Sequence, residues 1–222
     1  MARPPTILVS STVYGIEDLL NRIYMELKAF GYEVWMSHRG TIPVRSDRTA
    51  FENCLAAVQE CDFFLGLITT DYGSGRDGSD LSITHQELQL AIACKKPRWV
   101  LAHQNVVFAR RFLRELGYTN AKERAEGLSL KKGAKALADL RVIDMYEEAI
   151  LDTKPLEERH GNWVQEYDTD EQVLLFASAQ FSRVQEVELF LKENLSDPAA
   201  VAAAAAAAAA QAQAQARDGV QP

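Results

Sequence analysis

The sequence predicts an α/β protein on a doubly wound parallel sheet, and three observations carry that expectation. Short β-rich apolar runs recur at residues 6–10, 32–36, 63–68 and 98–102. Between them, apolar residues repeat at helical spacing. The run Phe63-Phe64-Leu65-Gly66-Leu67-Ile68 is apolar on both faces, as a central parallel strand covered by helices on either side must be.

Taken in order, Thr6-Ile7-Leu8-Val9 forms a buried strand that delivers the polar Ser10-Ser11-Thr12. Ile16, Leu19, Leu20, Ile23, Leu27 and Phe30 share one helical face, and Gly31 stops the helix. A second strand at 32–36 leads into a loop over 37–47 containing Gly40 and Pro43. Phe51, Leu55 and Val58 mark the next helix, ending before Cys61-Asp62 and the third strand. The loop 69–80 carries three glycines and precedes a helix over 84–93 that Lys95-Lys96-Pro97 ends. A fourth strand at 98–102 and a helix at 108–116 complete a flavodoxin-type domain over residues 1–116.

Beyond it the charge changes. Residues 109–141 hold nine basic and four acidic side chains, and 144–171 hold two basic and ten acidic ones, so the two segments are expected to attract. Leu140-Arg141-Val142-Ile143 reads as a fifth strand leading into a helix at 144–151, and 160–165 as a turn that buries Trp163 against the last helix or closes over the cleft. That helix is expected over 171–195, with Val173, Ala177, Phe181, Val184 and Leu191 on its apolar stripe. The segment 117–198 is thus predicted as a mainly helical extension packed on the first domain. The Ala/Gln-rich 199–222 reads as a disordered or partly helical tail.

The 222 residues carry a formal charge of −7, which argues against holding nucleic acid or anionic lipid by bulk charge. No long apolar span or leader is apparent, and Cys54, Cys61 and Cys94 form no metal or redox motif, so a reduced, cytoplasmic setting is expected. His38, His103 and His160 are scattered, so no metal site is expected.

In an open parallel sheet, ligands bind beyond the carboxyl ends of the strands. Three polar groups fall there: Ser10-Ser11-Thr12 after the first strand, Asp71-Tyr72-Gly73 after the third, and Glu87 on the following helix. Hydroxyls ahead of a helix suit a phosphate, and equally suit plain capping. Glu87 suits a catalytic carboxylate in the cleft, and equally a residue complementing the helix dipole.

The ordered set Ile7-Leu8-Val9-Ser10-Ser11-Thr12, Glu60-Cys61-Asp62, Tyr72-Gly73, Ser82-Ile83-Thr84-His85-Gln86-Glu87 and Lys96-Pro97 resembles the domain of unknown function numbered 4062, over about residues 6–105. That family is similar in turn to Toll/interleukin-1 receptor (TIR) domains and to nucleoside 2-deoxyribosyltransferases. The resemblance implies a catalytic glutamate at Glu87, with Ser10, Ser11, Thr12, Tyr72, Gly73 and Ser82 binding a nucleotide. Where the TIR pattern has Trp-Cys after the serine, this chain has Ile83-Thr84, leaving Tyr72 or Trp35 to stack on a base. The expected function is cleavage of the N-glycosidic bond of NAD or a related nucleotide, as substrate and with no cofactor required, in signalling or defence. The alternatives are a noncatalytic self-assembly or adaptor module and a deoxyribosyltransferase. A homo-oligomer or a separate sensor protein is the partner this implies.

Overall fold

The computed structural model describes residues 3–73, 80–159, 162–183 and 186. Five strands form one sheet in the order β2-β1-β3-β4-β5: β1 (Thr6–Ser11), β2 (Glu33–Trp35), β3 (Phe63–Ile68), β4 (Arg98–His103) and β5 (Asn162–Tyr167). Every pairing is parallel, with Leu8 beside Phe64, Ser10 beside Gly66 and Leu101 beside Gln165. The order reverses between β1 and β3. That switch point is where such sheets open a crevice at their carboxyl ends.

Helices cover both faces. On one lie α1 (Glu17–Ala29) and α7 (Asp170–Phe181), whose Leu20, Ile23, Leu27, Val173 and Phe181 pack against Ile7, Phe63, Leu65 and Leu101. On the other lie α2 (Ala50–Glu60), α3 (Ile83–Ala93), α4 (Gln104–Glu115) and α6 (Arg141–Ala149), which bury Val58, Leu88, Val106 and Ile143 against Leu8, Phe64 and Val100. The four strands and four helices expected before residue 116 are all present, within a few residues of their expected ends.

Two features of the resemblance are structural. Asp62 accepts from the Thr6 amide and from both terminal nitrogens of Arg3, all at 2.8 Å, tying the starts of β1 and β3 together. The buried Lys96 ammonium donates to the Gln59 and Cys61 carbonyls at 2.7 and 2.6 Å, closing the end of α2.

The region after residue 116 corrects two expectations. The stretch 140–143 opens α6 rather than a strand: Val142, Ile143, Met145 and Ala149 are buried at helical spacing, a pattern that four residues taken alone do not reveal. The fifth strand is β5, taken from the segment read as a turn. It sits at the sheet edge, where polar residues such as Gln165 and Glu166 reach solvent and mask the strand's alternation. Trp163 is 59% exposed and anchors nothing in the interior. Residues 187–195 of the expected last helix, and the tail 199–222, lie outside the described residues.

The attraction between basic and acidic segments is realised. Arg110 reaches Glu147 at 3.0 Å and Asp152 at 2.9 Å, and Arg114 reaches Asp152 at 3.1 Å. Arg124, on the short helix α5 (Ala121–Gly127), is fully buried and grips Asp144 and Glu147 at 2.5 and 2.6 Å. No helix among the described residues is long and apolar enough to cross a membrane.

Candidate functional site

The carboxyl edge of the sheet at the switch point gathers most of the residues singled out in the sequence. Neither bland reading survives there. Helix α1 begins from Ile16 with no side-chain cap, so Ser10, Ser11 and Thr12 are not its caps. Glu87 is the fifth residue of α3, past the first turn where a carboxylate would complement the dipole, and it is 5% exposed.

The Glu87 carboxylate crosses to the end of β1. Ser10 donates to its Oε2 at 2.5 Å, a short charge-assisted contact. The Cys54 thiol of α2 lies on the same side and favours the ionised form of that carboxyl. Burial pushes the carboxyl up from an ordinary 4.5 to about 7, and Ser10 and Cys54 only partly offset that. Burial, with the Glu87 charge beside it, pushes the Cys54 thiol up to about 11, which keeps it protonated. A carboxyl poised near neutrality at the switch point of a parallel sheet is what acid, base or nucleophilic chemistry requires.

The neighbouring loops are locked to one another. Thr12 and Thr69 share a 2.7 Å hydroxyl hydrogen bond, and Ser11 donates to the Thr12 carbonyl at 2.8 Å. Asp71 accepts from the Gly73 amide at 2.8 Å, bending the chain into a turn that holds Gly73 at φ +81°. A Cβ on Gly73 would sit 2.8 Å from Thr12 Cγ2 and 3.9 Å from Ser82 Cβ, so the exit loops of β1 and β3 touch here. Gly73→Ala should therefore lose about 1–2 kcal/mol to the left-handed backbone and the clash together, read as a lower urea midpoint with unchanged slope. An unchanged midpoint would show that the turn relaxes freely.

Ser82 caps α3, accepting from the His85 amide at 3.3 Å, and is fully buried. Tyr72 is also buried. Its hydroxyl meets His85 Nδ1 at 2.7 Å, and the Arg141 guanidinium lies 4.4 Å from its ring centroid. The far side of His85, Nε2, stands 3.1 Å from Glu148 Oε2, and Gln89 donates to Glu148 Oε1 at 3.1 Å. Arg141 pairs with Asp139 and donates to the Asp80 carbonyl at 2.5 Å. Helix α6 thus braces the loop that carries Tyr72 and Gly73. Trp35 belongs to the core, with its Nε1 donating to Glu33 at 3.0 Å, so Tyr72 is the aromatic left at this edge.

Ser10, Thr12, Tyr72, Gly73, Ser82 and Glu87 accordingly form one connected set, with Ser11 at its rim. Sequence reasoning passed over Cys54, Thr69, His85, Arg141 and Glu148. Cys54 precedes Val58 by one helical turn on the buried side of α2, which places its thiol toward α3; that spacing was the available signal. Arg141 and Glu148 gave none, because their role depends on α6 docking from beyond the first domain. Among the described residues no cluster of His, Cys, Asp or Glu is arranged to hold a metal ion.

Fold and site together define a parallel α/β domain with a buried, near-neutral carboxyl at its topological switch point. The family model for a domain of unknown function (DUF4062) matches residues 6–131, more than half of the chain, and the chain belongs to that family. The match runs past α4 into the segment after α5 and stops short of α6. No curated protein matches the chain.

Proposed function

We propose that this protein binds a nucleotide at the β1/β3 crevice and cleaves its N-glycosidic bond, NAD being the substrate of choice, with Glu87 as the catalytic carboxylate. The observation that carries the reading is the Glu87 environment. A carboxyl is withdrawn from water, raised to about 7 and held against the end of β1 by Ser10.

The chemistry follows from the charges. In NAD the nicotinamide nitrogen is already cationic, so when the C1′–N bond breaks its electron pair neutralises the departing ring. The ribosyl carbon is left electron-poor. An ionised Glu87 stabilises that carbon, worth more in a site withdrawn from water than in solvent. Water then adds to C1′, and Glu87 accepts the proton it loses. Ser10 holds Glu87 in place, Ser11 and Thr12 at the exit of β1 face the phosphates, and Tyr72 with Gly73 and Ser82 forms the opposite wall.

Because Glu87 must be ionised to act, kcat/KM should rise with pH through about 7 and level off above it. The test is to incubate the pure protein with NAD and measure free nicotinamide and ADP-ribose, with a deoxynucleoside plus a second free base in parallel. Nicotinamide release with the rising pH limb supports the proposal. Base exchange on the deoxynucleoside alone would assign the transferase chemistry instead. Inertness toward both would leave a noncatalytic module and refute the proposal.

A further inference from the structure

Away from the Glu87 site, α4 presents an apolar stripe that the core of the described residues does not use. Phe108, Phe112 and Leu116 follow one another at four-residue spacing and are 66%, 48% and 56% exposed. The two phenyl rings stack, 5.9 Å between centroids and 7° between planes. The inner side of the helix is committed elsewhere: Val106 and Val107 enter the core, and Arg110 and Arg114 pair with Glu147 of α6 and with Asp152 just beyond it. Where the first turns of α4 meet β5, a groove of about 320 Å³ opens, and Phe108 lines it.

Two opposite charges flank that groove. Arg111 of α4 and Glu166 of β5 both line it, both are exposed, and they make no ion pair with each other or with any described residue. A patch of one sign would repel its own copy. A patch carrying one free cation and one free anion beside an aromatic stripe is self-complementary under a two-fold axis, because each charge of one copy can meet its opposite on the other. Strand β5 ends the sheet on the same side, so no further strand of the described chain stands between α4 and an approaching copy.

We propose that the occupant of this surface is a second copy of the chain. In the resulting two-fold dimer, Phe108 and Phe112 of one protomer pack against the same residues of the other, and each Arg111 pairs across the axis with the other protomer's Glu166. The aromatic centre supplies affinity and the two reciprocal ion pairs fix the register. The proposal does not rest on the catalytic reading, since none of these residues belongs to the Glu87 site.

The test is the mass of the full-length protein by light scattering and sedimentation across micromolar concentrations. The wild type should be a dimer, and Phe112→Glu a monomer with an unchanged circular dichroism spectrum. Arg111→Glu and Glu166→Arg should each weaken the dimer at least about tenfold, by placing like charges across the axis. The double variant Arg111→Glu/Glu166→Arg should recover the dimer, which a merely misfolded surface would not. A wild type that stays monomeric, a dimer indifferent to Phe112→Glu, or a charge swap that fails to rescue would each overturn the proposal.

Discussion

Glu87→Gln should make the protein more stable at pH 8 by up to about 3 kcal/mol and leave its stability at pH 4.5 nearly unchanged. The sign comes from linkage. The carboxyl has its ordinary 4.5 in the unfolded chain and about 7 in the fold, so the folded state binds its proton more tightly. Below about 4.5 both states are protonated and folding loses nothing. As pH rises to 7 the unfolded chain ionises freely while the fold resists, and stability falls by about 1.4 kcal/mol for each unit of separation. Glutamine matches the protonated acid in shape and never ionises, so it removes this cost at high pH alone. The melting temperature gain at pH 8 should be roughly 5–10 °C for a domain of this size. A carboxylate present only for stability would give the reverse at pH 8, a loss that fades as the pH falls.

Arg124→Ala carries the second large effect, a destabilisation of about 3 kcal/mol or more measured by urea unfolding. Its guanidinium is fully buried between α5 and α6, and truncation leaves Asp144 facing inward without the cation that neutralises it, while Glu147 keeps only Arg110 and Arg114. Removing one partner of a buried pair costs far more than the pair itself contributes. Arg124 Nε and Nη1 have no acceptor, so part of the arginine is already unsatisfied. Arg124→Met combined with Asp144→Asn should therefore regain much of the loss. Because α6 also supplies Arg141 and Glu148 to the Tyr72 loop, Arg124→Ala should loosen that loop as well, seen as faster amide exchange at Tyr72 and Gly73.

The first four strands were legible because buried parallel strands are written as unbroken apolar runs, and Phe63 to Ile68 admits hardly any other reading. Strand β5 was not. An edge strand with Trp163, Gln165 and Glu166 facing solvent carries no such run, and only the register against Trp99 to His103 makes it a strand. The start of α6 failed for a related reason, since Val142 and Ile143 are adjacent in sequence and say nothing about period until Met145 and Ala149 join them. At the site, topology did most of the work: the exit loops of β1 and β3, neighbours in a parallel sheet, must share an edge, so Ser10, Thr12, Gly73 and Glu87 were findable from strand order. The braces were not. His85 joins Tyr72 to Glu148 across residues far apart in sequence, and no local pattern encodes that contact.

The most direct measurement is nicotinamide release from NAD by the wild type and by Glu87→Gln side by side at pH 8, with NAD binding by calorimetry on both. Glu87 acting on the ribosyl carbon predicts release by the wild type and a loss of at least a thousandfold in the glutamine variant, which still binds NAD and melts higher. Equal release by the two proteins, or none by a wild type that binds NAD, would contradict it.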